Sequence, residues 1–249
     1  MILTDTIAAL ALPPECRVDQ RVPKKLLVEN GAPTAAGKRQ INEGIEELLW
    51  LAALKPTTIG VPEYRDAVRE YLEIAVLSLA LRPSANEGRL VELIHRAIPY
   101  PVVLFTQQSD HAALSLAHKR WSQGEAGRMV LDDTVTSCEL VQHPTAPAFL
   151  ESLSLAAQPR AHLMALYEGW INSLQAFQAA RITGRFVPPV NSEASAVRRE
   201  ALVVHDHLTR EIAVLRAQAE RESQVNRRVD SNLEIKRLQA ALAEAIEKL

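Results

Sequence analysis

The eleven residues YLEIAVLSLAL at positions 71–81 decide the architecture. Leu72, Ile74, Val76, Leu77, Leu79 and Leu81 fall on both phases of a two-residue alternation, so an extended segment here offers neither face to water. It reads as a central strand covered on both sides. Ser84 and Glu87 follow, three apart as a capping box requires, ahead of Leu90, Val91, Leu93, Ile94 and Ala97, and this helix ends near Pro99. Past Pro101 the run VVLF at 102–105 is a second strand. Ser109, Asp110 and His111 then turn the chain into a third, whose Leu114, Leu116 and His118 share one phase. Residues 129–141, rich in β-branched side chains and preceded by Gly124 and Gly127, supply another.

Upstream, Ile41, Ile45, Leu48, Leu49 and Ala52 recur at helical spacing, which predicts one helix over residues 34–54, ended before Pro56. A short helix over 4–12 is stopped by Pro13 and Pro14. The fold class expected is α+β: a small mixed sheet of about four strands with packed helices. Three prolines interrupt 143–159. A long helix at about 160–183 then carries Leu163, Leu166, Tyr167, Trp170, Ile171, Leu174 and Phe177 as a wide apolar stripe. Pro188 and Pro189 close this domain, residues 1–187.

Residues 190–249 contain neither glycine nor proline, and 191–249 mix ten Lys or Arg with ten Asp or Glu. Everything after the prolines is therefore read as helix with a solvated surface. Leu208, Ile212, Leu215 and Ala219 keep seam spacing, and Ile235, Leu238, Leu242, Ala245 and Leu249 resume it. The 23 residues from Leu215 to Leu238 exceed three heptads by two, so a straight seam loses register. A reversal or stutter between Glu222 and Asn232 restores it, with Asp230 and Ser231 as caps of the second helix. Residues 188–249 are expected to form a helical hairpin, an intermolecular coiled coil being the competing geometry.

Composition bounds the function. In 249 residues, 47% hydrophobic content is enough for a core, and 28 basic against 30 acidic residues exclude a polycation that coats nucleic acid. No apolar run approaches the roughly 18–20 residues of a bilayer span, and the N-terminus lacks the basic start of a signal peptide, so a cytoplasmic protein with no membrane contact is expected. Cys16 and Cys138 make neither a disulfide framework nor a zinc spacing. With no glycine-rich phosphate loop, nucleophile elbow or paired-aspartate motif, no cofactor is expected.

Several segments resemble one bacterial family, the domain of unknown function 4391. They are Val22-Pro23-Lys24, Arg96-Ala97-Ile98-Pro99-Tyr100-Pro101, His118-Lys119-Arg120, Leu166-Tyr167-Glu168, and Gln224-Val225-Asn226-Arg227-Arg228-Val229 with Asn232. His118 stands where the family carries tyrosine, and Val225 where phenylalanine is common. None of these segments is a catalytic motif. The resemblance implies genes beside DNA methyltransferases and helicases of restriction-like or phage-defence loci, which is an association and not residue chemistry.

The reading preferred is a noncatalytic accessory protein docking a larger partner, a helicase or methyltransferase, through Leu208, Ile212, Leu215, Asn226, Asn232, Leu238 and Leu242. The two asparagines are read equally as seam amides that fix register or as satisfiers of helix ends. A divergent metal-dependent nuclease is one alternative, with Glu73 on the central strand and Lys119 on the hairpin. The acid such a site needs two residues before the lysine is replaced by Ala117, and Glu234-Ile235-Lys236 has the right letters in the helical appendage. A DNA-binding module is the other, weak in affinity. Its basic arm holds Arg17, Arg21, Lys24, Lys25, Lys38 and Arg39 against Asp19 and Glu29, with Lys119 and Arg120 as a second patch. His205 and His207, about 200° apart on a helix, do not share a metal. His118, Cys138 and His143 lack ligand spacing and read as packed or edge side chains.

Overall fold

A computed structural model describes residues 3–31, 34–125 and 127–249. In chain order the elements are α1 (Leu3–Ala9), β1 (Arg17–Arg21), α2 (Lys24–Gly31), α3 (Ala35–Gly44), β2 (Ile45–Leu54), α4 (Pro56–Ile59), β3 (Tyr64–Arg65), β4 (Glu70–Tyr71), β5 (Ile74–Leu81) and α5 (Glu87–Ala97). They continue as β6 (Val102–Gln108), β7 (His111–Leu116), β8 (Lys119–Trp121), β9 (Met129–Leu131), β10 (Thr136–Glu139), α6 (Ala146–Ser152), α7 (Leu163–Thr183), α8 (Ser192–Arg221) and α9 (Val225–Ile246). Two compact units emerge, Met1–Leu174 and Gln175–Leu249, the division falling inside α7. The fold is mixed α+β.

In the first unit six strands run in the order β1-β2-β5-β6-β7-β10. β5 is interior, as its two-phase pattern demands: it pairs antiparallel with β2 and parallel with β6. The parallel pair requires a crossover, and α5 supplies it. Ala75, Leu77, Leu79 and Leu81 on one face of β5 join Ile45 and Leu48 of β2, Leu27, Ile41, and Leu90, Leu93 and Ile94 of α5 in one core. Ile74 and Val76 on its other face are fully buried too. β6 and β7 form the expected hairpin, with Gln108 opposite His111.

The sheet has six strands where about four were expected, and the largest difference lies at 45–54. The helix predicted over 34–54 ends at Gly44, after which IEELLWLAAL is strand β2. Its pairing with β5 shifts register between Ile45 and Glu47 and again between Trp50 and Ala52. Each shift inserts a residue, and the first lets Ile45 and Leu48 reach the same face three positions apart and mimic helical spacing. Leu, Glu and Ala favour helix locally, but pairing on both edges and burial outweigh a propensity of a few tenths of a kcal/mol per residue. Strand β1 (RVDQR) is mostly exposed at the sheet edge and carries no apolar alternation to betray it.

Smaller corrections have local causes. Asn86, whose side chain accepts from Arg89 N at 3.1 Å, caps α5; Ser84 lies in the preceding turn, where Ala85 N donates to Arg82 O. The segment 129–141 is two strands, β9 pairing with β8 in a separate ribbon and β10 with β7 in the main sheet. Helix α7 is pinned by Tyr167, whose hydroxyl accepts from Ala117 N and donates to Val102 O at 2.9 and 2.7 Å, and by Trp170 Nε1, which donates to Leu153 O at 2.8 Å. Gly169 lets this helix approach: a Cβ there would lie 2.5 Å from Gln158 Oε1 and 2.7 Å from Pro159 Cδ. Gly169→Ala is therefore expected to destabilise by about 1–3 kcal/mol through overpacking, although propensity alone predicts a gain of about 1 kcal/mol. The shift of the urea midpoint measures which term wins.

In the second unit α8 and α9 are 30 and 22 residues long and pack as an intramolecular hairpin. Asn191 caps α8, accepting from Ala194 N at 2.8 Å. The chain reverses through residues 222–224, where Glu222 Oε1 accepts from Gln224 N at 2.8 Å. Asp230 and Ser231 are consequently interior to α9 and cap nothing; Ser231 Oγ donates back to Arg227 O at 3.0 Å. No helix among the described residues is long and apolar enough to cross a membrane.

Candidate functional site

A dense group of interacting polar side chains in the first unit gathers where the β3–β4 and β8–β9 ribbons and the start of α7 supply neighbouring residues. Tyr71 ends β4, His118 sits in the connection from β7 to β8, and Glu168 follows Tyr167 on α7. His118 Nε2 is 2.5 Å from Glu168 Oε2, and His118 Nδ1 is 2.5 Å from the Tyr71 hydroxyl. A carboxylate only accepts, so Nε2 carries the proton and Nδ1 accepts from the phenol in the neutral tautomer that satisfies both bonds. Burial raises the Tyr71 phenol far above its ordinary range, and Glu168 and Asp132 add to the shift while Arg69 opposes it. Beside this relay Asp132 bridges two guanidiniums, with Arg69 Nε at 2.8 Å and Arg120 Nε at 3.3 Å, and its amide donates to His118 O. Tyr64 completes the group: its ring lies 4.5 Å from that of His162 and its hydroxyl donates to Asp66 Oδ2 at 2.6 Å.

The raised phenol keeps its proton, so the chain of hydrogen bonds from Tyr71 through His118 to partly exposed Glu168 acts mechanically, tying the ribbons to α7. Tyr71 is fully buried, so its hydroxyl is not presented to a substrate. Tyr167, read from sequence as core, also proves to be a hydrogen-bonding hub. The Leu166-Tyr167-Glu168 resemblance was the available signal for that segment, but no sequence spacing pointed to Tyr71.

The two residues proposed as a nuclease pair have separate partners. Glu73 immediately precedes β5 and is not on the strand, and its Oε2 meets Lys55 Nζ at 3.1 Å. Lys119 opens β8, is only 2% exposed, and donates from Nζ to Ile98 O. Burial pushes its ammonium down to about 7. Nearby His95, wholly buried on α5 and pushed down to about 3 by burial and by Lys119, shares a 3.0 Å bond with Ser115 Oγ. Its Nδ1 has no hydrogen-bond partner among the described residues. No three His, Cys, Asp or Glu side chains among the described residues converge as metal ligands.

The basic arm is a folded surface with several of its cations engaged. Lys24 Nζ donates to Asn42 O at 3.1 Å and to Ile45 O, closing the C-terminal end of α3, where the exposed carbonyls favour a cation. Burial, with Arg82 and Arg21 nearby, lowers its pKa. Lys25 pairs with Glu29 at 3.8 Å and Arg39 with Glu43 at 2.9 Å. Lys38 is exposed. In the second patch Lys119 is buried and Arg120 is held by Asp132, so these two do not form a free cationic surface.

On the hairpin, Leu208, Ile212, Ile235 and Leu238 form the seam, with Leu215, Ala241 and Leu242 packed against it. The apolar residues expected to meet a partner therefore meet one another. Asn226 and Asn232 are exposed and lie outside that seam. The outer surface instead shows Val225, Val229 and Leu233 of α9 at 62%, 50% and 60% exposure, and Val203 and Val214 of α8 are exposed as well. An open groove of about 270 Å³ beside the turn is lined by Arg216, Ala219, Glu220, Arg228, Asn232 and Ile235.

Comparison with curated proteins and with solved structures gives no match. The model of one family, described as a domain of unknown function (DUF4391), matches residues 10–242, spanning most of the first unit and most of the hairpin. With that much of the chain covered, the protein belongs to the DUF4391 family.

Proposed function

We propose that the protein is a noncatalytic interaction protein that docks a larger partner through the outward faces of its helical hairpin. The observation carrying this reading is the distribution of exposed large apolar side chains. Seven of the eleven among the described residues, Val197, Val203, Val204, Val214, Val225, Val229 and Leu233, lie on α8 or α9, whose own seam is already filled. A hairpin with a satisfied interior has no internal use for a second apolar face, and such a face is a recognised mark of partner binding. The partner implied by the family resemblance is a helicase or DNA methyltransferase of a restriction-like or phage-defence locus.

Magnitude limits the mode of docking. Covering three half-exposed aliphatic side chains supplies about 3–4 kcal/mol at the usual transfer value, whereas micromolar affinity needs about 8 kcal/mol. Polar groups flanking the apolar residues must contribute as well.

Ending the chain before Asn191 tests the reading. That cut preserves α7 whole and removes both hairpin helices. The expected product unfolds cooperatively in urea, retains near-ultraviolet circular dichroism, and no longer co-purifies the partner taken by the full chain from its host. A cooperatively folded truncation that still retains the partner refutes the assignment, as does a full chain that takes none.

A further inference from the structure

We propose that the partner segment is an acidic amphipathic helix, seated along Val225, Val229 and Leu233 of α9, with one carboxylate held in the groove between Arg216 and Arg228. This rests on the docking reading above and specifies its surface and chemistry. Val225, Val229 and Leu233 are spaced i, i+4, i+8, so successive members are rotated by only about 40° and form one narrow row. Ile235, Leu238 and Leu242, which face α8, fall on the opposite side of the same helix. Arg228 and Asn232 stand three residues beyond Val225 and Val229 respectively, which makes them the bordering row and the wall of the groove. One surface thus joins an apolar seat to a cationic margin.

The charge at this end of the hairpin is uncompensated. Residues 216–237 hold six Lys or Arg against four Asp or Glu, while residues 191–215 and 238–249 each carry one more acid than base. Two of the four acids are engaged, Glu222 by Arg227 at 4.0 Å and Glu234 by Arg237. Arg216, Arg221, Arg228 and Lys236 have no ion pair among the described residues. Two guanidiniums and the Asn232 amide line the groove against one carboxylate, Glu220, which leaves a net positive margin that favours a partner's carboxylate.

The apolar row separates this occupant from others that share negative charge. Nucleic acid would use the cations but has nothing for two valines and a leucine, and α8 and α9 contain no Phe, Tyr or Trp on which a base could stack. A second copy related by a two-fold axis would bring the same cationic excess against itself. A helix with aliphatic residues on one face and Asp or Glu along its edge satisfies both halves of the surface.

Site-specific photocrosslinking of the full-length chain in its native host tests this. A benzophenone amino acid is placed at Val229, or at exposed Leu26 of α2 as the control, and the adduct peptide is sequenced. Expected are an adduct from Val229 and none from Leu26, the captured peptide being amphipathic with at least two Asp or Glu on its polar edge. Arg228→Glu is expected to cut adduct yield at least tenfold, with Arg228→Lys keeping at least half and far-ultraviolet circular dichroism unchanged in both. Capture of a second copy, of nucleic acid or of a peptide without acids overturns the proposal. So does an equal adduct from Leu26, or a yield insensitive to Arg228→Glu. If the partner co-purifies with the full chain and Val229 captures nothing, this seat is wrong and the docking reading stands; if no partner co-purifies, both fall.

Discussion

Lys119→Met is expected to stabilise the protein at neutral pH and below, by about 2–4 kcal/mol, and to do so less and less as the solution is made alkaline. The ammonium is almost wholly buried and has one carbonyl acceptor, Ile98 O, so the folded chain prefers the neutral amine and titrates it at about 7 instead of 10.5. Between those pH values the unfolded chain holds the proton and the native chain does not, so native stability climbs as pH rises from about 7 toward 10.5. Below 7 both states hold it and the full cost of burying the charge is present. Methionine fills a similar volume with no charge to desolvate, and the loss of one hydrogen bond offsets about 1 kcal/mol of the gain. His95 acts in the same direction at lower pH: with its folded value near 3 against 6.5, stability is lost as pH falls from about 6.5 toward 3. Urea titrations from pH 4 to 10 measure both effects. A Lys119→Met gain that is the same at pH 6 and pH 10 would show that Lys119 is not held neutral by burial.

The second large effect is expected in the hairpin. Ile212→Asp places a carboxylate in the seam among Leu208, Ile235 and Leu238. Lost aliphatic burial and desolvation of the acid together cost about 4–5 kcal/mol. A two-helix seam built on so few side chains cannot absorb that, so the α8–α9 pair should open while Tyr167 and Trp170 keep the first unit packed. The signature is a loss of far-ultraviolet helical signal with near-ultraviolet tryptophan and tyrosine bands retained. Val229→Asp, on the exposed row of α9, is the comparison: it should leave the helical signal intact. Equal melting of both variants would mean that the seam is not what joins the two helices.

What could be read from sequence, and what could not, follows from which residues carry their meaning locally. The strand at 74–81 was legible because a segment buried on both faces has no polar phase, and the hairpin was legible because 23 residues between Leu215 and Leu238 cannot keep a straight seam in register. Strand β2 was misread because a register shift between Ile45 and Glu47 gave Ile45 and Leu48 the spacing of a helix, and a shift exists only relative to a partner strand. The candidate site was less legible still. Tyr71, His118 and Glu168 are separated by 47 and 50 residues, so nothing in the order of the chain announces that they share two hydrogen bonds. Lys24 and Lys119 looked like surface cations because their letters carry charge. One closes a helix end and the other is buried against a backbone carbonyl, roles assigned by the groups around them.

By itself, then, the amino-acid sequence determined the α+β class, the central strand, the crossover helix, the apolar α7 and the two-helix C-terminal segment, since hydrophobic period and the absence of glycine and proline are properties of short windows. Only the tertiary structure decided the six-strand order and the relay through His118. It also decided which face of α9 is left uncovered. The apolar residues at 208, 212, 215, 238 and 242 were equally able to meet a partner or each other, and folding back at residues 222–224 consumed them within the chain. Val225, Val229 and Leu233 remain outside because one helix can turn only one side toward its neighbour, and which side that is depends on where the chain reverses.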